Sequence, residues 1–402
     1  MDFLTFILSI IVGVVFGVIT GLIPGIHINL VASVILGLSP ILLNIFPVMS
    51  LVCCIIALGI THSFIDFIPS LLFGVPNADT ALSVLPGHKM VLQAKGLDAL
   101  YLSGLGSFGG TFLAFLLFFP LFFTLLKGYN IISPYIPYIL LGVSIFLILL
   151  EHKFYLKILA FIISCFSAGF GLLLLNTIHT PQPLLVLFTG IFGTASLLYA
   201  LGNESKMPRQ ELSFDKRLPK NYFKGLFLGG ISATICSISP GLGNAQAATI
   251  SSLFLKFTPP QLFIVILSSI NTIGFIISII TYYLLERARN GSIIVISQLL
   301  PKFTIQDISL FFLVIFITTL ISFYLLVKIG KVFIKISNKI PEKKVNLSII
   351  ILLIILVFYL TNIIGLIYLL AGTALGYLTL LFGVRRVHLL NCLLFVVVLN
   401  LW

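Results

Sequence analysis

Two short stretches carry the residue types that could bind and release a solute. The first reads Pro24-Gly25-Ile26-His27-Ile28-Asn29, and the second reads Ser239-Pro240-Gly241-Leu242-Gly243-Asn244-Ala245-Gln246. Each sets a Pro-Gly break beside amide, hydroxyl or imidazole groups, inside a run apolar enough to lie in a bilayer. A helix crossing lipid cannot leave backbone N–H and C=O groups unpaired, so such a break must line a cavity or pack against protein. The half-helix that restarts after a break offers unpaired amides and a partial positive charge to an anion. Pro24, Gly25, His27, Asn29, Ser239, Pro240, Gly241, Asn244 and Gln246 are therefore the candidate contacts for a small anionic substrate. The competing reading of each break is a proline kink satisfied by a neighbouring helix; a break in corresponding places of two halves favours the site.

A second kind of chemistry lies in Thr61-His62-Ser63-Phe64-Ile65-Asp66. His62 and Asp66, four residues apart, share one face of a helix and can hydrogen-bond. An ionisable residue at membrane depth costs about 3 kcal/mol, which makes it a functional candidate. The pair is read as the place where H+ or Na+ couples to transport, against the alternative of a half-solvated helix end before Pro69. Asn77, Asp79 and Thr80, in a polar stretch with turn signals at Pro76-Asn77 and Pro86-Gly87, are candidates for a gate or mouth. So are Arg287 and Arg289, whose competing reading is a solvated Glu286-Arg287 end.

The elements that position these groups are membrane helices. The chain of 402 residues is 59% hydrophobic and 8% charged, where soluble domains carry about a quarter charged residues. No Asp, Glu, Lys or Arg occurs between Phe3 and Ile65, and further uncharged runs cover 158–203, 225–255 and 345–384. A span needs roughly 20 apolar residues, so the expectation is an all-α polytopic protein of the cell membrane, with about 9 to 12 transmembrane or re-entrant helices. The Met1-Asp2 start has no basic n-region, so the first helix is read as retained. All five cysteines sit in apolar runs without metal-ligand spacing, as buried small hydrophobes do.

The net charge of +12 is concentrated in loops, which points to the cytoplasmic membrane face and not to nucleic acid. Lys206, Arg209, Lys216, Arg217, Lys220 and Lys224 share one loop; Lys328, Lys331, Lys335, Lys339, Lys343 and Lys344 share another. Two crossings within 345–384 return Arg385 and Arg386 to the same side. Single crossings over 99–126 and 128–150 do the same for Lys89, Lys95, Lys153 and Lys157. Asn176, His179 and Gln182 fall in an extracellular turn on this reading. The halves are expected to be inverted repeats with discontinuous helices: 1–203, a basic linker 204–224, and 225–402. Pro240-Gly241 follows Pro24-Gly25 by 216 positions, and Asn271-Thr272 falls roughly where Thr61-His62 falls.

Several motifs taken in order resemble one family. After Gly21-Leu22-Ile23-Pro24-Gly25 come Pro76-Asn77-Ala78-Asp79-Thr80, Leu85-Pro86-Gly87-His88-Lys89, Gln93-Ala94-Lys95-Gly96-Leu97-Asp98-Ala99 and a glycine-rich helix from Gly104 to Gly110. Together they resemble the TctA-type permease subunit of tripartite tricarboxylate transporters. The stretches His62 to Ser70 and Glu286 to Gly291 are most similar to its archaeal branch. The resemblance implies a multispan permease that moves carboxylates on an ion gradient. It also implies partners, a small membrane subunit and an extracytoplasmic binding protein. Two departures are visible: the chain is shorter than bacterial permeases, and its first break has His27 and Asn29 where theirs is richer in glycine.

No His-Glu-x-x-His, Walker loop or Gly-x-Ser-x-Gly motif is present, so an enzyme is not expected, and no catalytic residue, metal or cofactor is assigned. The function expected is a secondary transporter of a tricarboxylate-like anion; the alternative is an isoprenoid-phosphate lipid carrier or flippase, which also suits half-helix anion sites. The sequence is compatible with a homo-oligomer.

Overall fold

The computed structural model describes residues 2–23, 28–73, 84–177, 182–202, 208–238, 244–255, 258–288, 290–339 and 342–401. Pro24, Gly25, His27, Asn77, Asp79, Thr80, His179, Ser239, Pro240, Gly241 and Arg289 lie outside the described residues. Before the basic linker come α1 (Phe3–Leu22), α2 (Ile28–Gly37), α3 (Ser39–Leu42), α4 (Val48–Ile65), α5 (Phe67–Phe73) and α6 (Val84–Val91). They are followed by α7 (Gly96–Ile132), α8 (Ile136–Leu149), α9 (Phe154–Leu172), α10 (Pro183–Phe188) and α11 (Ala195–Gly202). After it come α12 (Tyr222–Ile238), α13 (Asn244–Leu253), α14 (Pro260–Leu285), α15 (Gly291–Leu299), α16 (Ile305–Ser337), α17 (Glu342–Leu381) and α18 (Asn391–Leu401). No strand occurs among the described residues, and eight helical stretches are long and apolar enough to cross a membrane. The protein is an all-α, multi-pass membrane protein.

Local signals set the helix ends. Asp2 caps α1 by accepting from the Thr5 N–H at 3.0 Å, and Thr304 with Asp307 forms a capping box that starts α16; both satisfy amides that the first turn leaves open. Pro260 opens α14, and Glu286, in the left-handed region at φ 52°, ends it. The Pro-Gly stretches interrupt helices as expected: α1 gives way to α2 after Leu22, and α12 to α13 after Ile238. The restarted helices α2 and α13 have ten residues each, about 15 Å, half of a bilayer core of about 30 Å. Ile28 and Asn244, and likewise Gly37 and Leu253, stand 216 positions apart.

Burial is greatest in α4 and α14, each with 89% of its hydrophobic window buried, against 28 to 39% for the windows in α1, α7, α16 and α17. Helix α1 packs along α4 and α12 along α14, while α7 lies on α14 and α16 lies on α4. Each half thus lends its long helix to the other half's centre. The two central helices meet at Gly59, where a Cβ would fall 2.2 Å from the Phe275 ring, so only glycine permits the approach. One hydrophobic core runs through these helices from Ile10 to Ile334. A second core joins α8, α9 and α10 with α17 and α18; its outer faces present Tyr138, Phe161, Tyr359 and Leu370.

One feature differs from the sequence reading and another agrees with it. Helix α7 does not stop near Leu126 but continues through Gly128 to Ile132, which leaves α8 with fourteen residues. Helix α17 leaves the helical region at Asn362, where φ is 58° and ψ is −164°. Residues eight apart in a straight helix are separated by about 12 Å, yet Val357 Cγ1 lies 3.4 Å from where a Cβ on Gly365 would sit. The chain therefore reverses at Asn362, and the 345–384 run holds two arms, as its length required.

The basic linker is a strap. Gln210, buried on the linker, accepts from Gly96 N at 3.0 Å and donates to Val91 O at 2.8 Å, fixing the turn between α6 and α7. Its backbone N–H donates to Asn338 Oδ1 at 2.8 Å and its carbonyl accepts from Asn338 Nδ2 at 3.0 Å, just past the end of α16. Phe214 stacks on Tyr101 at 4.3 Å, under Lys331 at 5.6 Å from its ring. At the exposed tip, Arg217 hydrogen-bonds Asp215 and holds that carboxyl below its ordinary pKa. Gln210→Ala strips two partners from buried backbone groups, a loss of about 1 to 3 kcal/mol. Hydrogen exchange should therefore rise at residues 91–96; exchange there at the wild-type rate would contradict the strap.

Candidate functional site

The described flanks of both breaks are tied to the central helices by side chains. Before the first break, Thr20 on the last turn of α1 meets His62 on α4, its Oγ1 lying 3.0 Å from Nδ1. After it, Asn29 on α2 accepts through Oδ1 from Ser292 N at 2.9 Å and Ser292 Oγ at 3.0 Å, at the start of α15. Gly291 makes room for this contact, since a Cβ there would lie 2.7 Å from Asn29 Cγ. Before the second break, Ser237 Oγ donates to Gly274 O on α14 at 3.4 Å. After it, Asn244 Nδ2 donates to Asn271 Oδ1 on α14 at 3.4 Å.

Asn271 then reaches across the molecule. Its Nδ2 donates to Asp66 Oδ2 at 3.4 Å, 205 residues away in the chain. Asp66 sits at the junction of α4 and α5, is 1% exposed, and caps α4 in helical conformation, its N–H bonded to His62 O. The short α5 tolerates Pro69 because a proline in the first turn removes no needed donor. A continuous amide chain therefore runs from Asp66 in the first half, through Asn271, to Asn244 at the N-terminus of the restarted helix α13. Around it, hydroxyls at the same crossing pair with one another: Ser63 with Thr272 at 3.1 Å, Ser322 with Thr61 at 3.0 Å, and Thr111 with Thr319 at 3.2 Å. Such pairing satisfies polar groups without a fixed charge, as burial in an apolar surround demands.

The structure thus brings Asp66 and Asn244 to one place, with His62 one helical turn away on α4. Gln246, also on α13, is fully buried. Asn29 is brought to a different partner, the N-terminus of α15, so its oxygen anchors α2. Arg287 is anchored as well: its Nη1 donates to Tyr129 Oη at 3.1 Å and its guanidinium stacks 5.0 Å over that ring, at the end of α7. Asn271 was not among the expected site residues. Its signal was available, since it occupies the place in the second half that Thr61-His62 occupies in the first, and an asparagine in a run of Ile, Ser and Thr needs a partner.

The role assigned to Asn271 is open to a double-mutant cycle. Asn271→Ala leaves the Asp66 and Asn244 groups short of a partner, and the single changes Asn271→Ala and Asn244→Ala should each lower thermal stability. The double change should be less costly than their sum by about 0.5 kcal/mol or more; strict additivity would dissolve the link.

With this geometry in hand, comparison with known proteins is informative. An uncharacterized protein of Methanocaldococcus jannaschii is 30% identical over 262 residues, a stretch that covers 64% of this chain and 64% of that relative. No solved structure matches the chain. The profile of the tripartite tricarboxylate transporter TctA family matches residues 7–391, which take in both breaks, both central helices and the strap between them. The chain belongs to the tripartite tricarboxylate transporter TctA family.

Proposed function

We propose that the protein is the permease of an ion-driven secondary transporter for a small carboxylate. The observation that carries the reading is the amide chain Asp66, Asn271, Asn244, which joins an ionisable group in one half to the restarted helix in the other. In this reading Pro24-Gly25 and Pro240-Gly241 place opposed half-helix ends near the membrane midplane. His27, Ser239, Asn244 and Gln246 contact the anion, and Asn29 holds α2 against α15. The two halves, 1–203 and 225–402, are inverted repeats; the matched lengths of α2 and α13 support this, as does the exchange of α7 and α16. Asn77, Asp79, Thr80, Arg287 and Arg289 form the mouths. A small membrane subunit and an extracytoplasmic binding protein are the partners that the family suggests.

The coupling follows from charge. An ionised Asp66 beside the site repels an incoming carboxylate. At about 8 Å and an effective dielectric of about 20 the repulsion is about 2 kcal/mol, or roughly thirtyfold in affinity. A proton or Na+ at Asp66, with His62 beside it, removes that repulsion, so ion and anion bind better together than apart, and the coupling is reciprocal. When the carboxylate is neutralised it demands less of the Asn271 amide, which frees that donor and its neighbour Asn244 for the substrate.

Asp66→Asn keeps the hydrogen-bonding shape of the side chain and removes the charge that a cation could cancel. In proteoliposomes loaded against an H+ or Na+ gradient, uptake of labelled citrate and succinate should fall to background in this variant while size-exclusion and circular-dichroism profiles stay those of the wild type. Gradient-driven uptake at the wild-type rate would remove Asp66 from the mechanism.

A further inference from the structure

The second core holds a buried ionisable cluster that the reading above does not use. Glu151, at the turn between α8 and α9, and His388, in the 3-10 turn Arg386–Leu390 before α18, are 3% and 1% exposed. His388 Nε2 donates to Glu151 Oε1 at 3.0 Å. The same oxygen accepts from Arg385 N at 3.3 Å and lies 3.8 Å from Arg385 Nε. Arg385 is 35% exposed in its side chain, and its Nη2 donates to Nε2 of His152, which faces outward, at 3.1 Å. A line of polar groups therefore leads from the surface to a histidine sealed inside the protein.

The turn that carries His388 is held firmly on its other sides. Ser167 on α9 donates to Leu389 O, and Ser144 on α8 donates to Asn391 Oδ1 at 3.1 Å. Arg386 is buried; its Nη2 donates to Phe192 O at 3.0 Å and its guanidinium lies 4.9 Å over that ring. Phe192 belongs to the π-helical stretch Thr189–Thr194, a local form that recurs at functional sites. Residues 386–390 also pack against α13, and Ile250 of α13, partly buried, packs against this second core. The buried turn thus touches the restarted helix whose N-terminus carries Asn244.

We propose that Glu151 and His388 form a proton-binding site, separate from His62 and Asp66, whose occupancy is transmitted through the 386–390 turn to α13. An imidazole ordinarily changes charge between pH 5 and 8. Burial disfavours the imidazolium most, Glu151 favours it through its hydrogen bond and its charge, and Arg385 opposes it; Arg386 lies on the same turn. His152 and Lys153 lie beside Glu151, and Lys157 is on α9; α17, which also packs on the turn, carries its charged residues Glu342, Lys343 and Lys344 at its start, and α8, α10, α11, α13 and α18 contribute no charged side chain. When the proton arrives, a neutral ring bonded to a carboxylate becomes a buried ion pair, and the turn gains a positive charge against an uncharged helix. No covalent step is involved; the proton enters by the Arg385 and His152 edge and resides on His388 Nδ1, with Nε2–H held on Glu151.

The test uses the full chain in lipid nanodiscs, with hydrogen exchange read over residues 244–253 and corrected for the intrinsic pH dependence of amide exchange. Protection of α13 in the wild type should differ at least threefold between pH 5 and pH 8. The comparison is made in an Asp66→Asn background, which removes the other proton site that reaches α13 through Asn271: there the difference should remain, and Glu151→Gln and His388→Gln should each abolish it. A difference that survives in the Glu151 and His388 variants, or that vanishes with Asp66→Asn alone, overturns the proposal, as does a wild type without one. Arg385→Gln, at the accessible edge, guards against variants that fail to fold: loss of a neighbouring cation should move the midpoint to higher pH, and an unmoved midpoint counts against the site. None of these readouts depends on the transported solute, so they stand or fall apart from the carboxylate reading.

Discussion

A helix that stops and restarts inside an apolar surround must have its loosened ends held by side chains, because water is not there to do it. Around both interruptions the described flanks meet that demand in the same way, with a short polar side chain bonded to a neighbouring helix: Thr20 to His62, Asn29 to Ser292, Ser237 to Gly274, Asn244 to Asn271. Three of these four ties run to α4 or α14, the two most buried helices. The centre of the molecule is thus defined by the need to hold broken helices, and the ionisable pair His62 and Asp66 sits on the element that does the holding. Deep polar residues that are expensive elsewhere in a membrane protein are here both structural and available for chemistry.

From that constraint the exchange of long helices follows. The two central helices pack through Gly59 and Phe275, and α7 and α16 each cross to the opposite centre. The exchange makes one core of two halves. The strap at Gln210 then ties the turn before α7 to the end of α16, so the two exchanged helices are joined at one edge of the molecule as well as through its middle. Motion of one half against the other must pass through these ties, and the Asp66 to Asn244 chain is the tie nearest the breaks.

Composition made the fold class legible, since nothing but membrane helices can bury runs so apolar. The breaks were legible because Pro-Gly inside such a run has few other uses, and the helix ends at Leu22, Ile28, Ile238 and Asn244 fall where that argument puts them. The reversal in 345–384 followed from length alone, although the residue that makes it, Asn362, carries no Gly or Pro signal. Less of the site could be read. The spacing of His62 and Asp66 gave their shared face but not their described partners on α1 and α14, because those pairings join residues 42 and 205 positions apart. Glu151, beside His152 and Lys153, gave no local sign of its place; only its packing against His388, 237 positions away, shows a buried acid. Gln210 was hidden in the same fashion, inside a charged stretch whose composition reads as a boundary. In each case the local pattern was correct and the long-range partner was not encoded in it.

The central claim is that a carboxylate site lies between the two breaks and is strengthened by a cation at Asp66. The most direct measurement is the unfolding midpoint of the purified protein against a panel of di- and tricarboxylates and isoprenoid phosphates, each with and without Na+ and at neutral and acid pH. A ligand well above its dissociation constant stabilises the native state by about 3 kcal/mol. The account predicts that a carboxylate raises the midpoint and does so more strongly with Na+ or at low pH. Stabilisation by isoprenoid phosphates alone would contradict it and would point to a groove that takes a lipid from the bilayer.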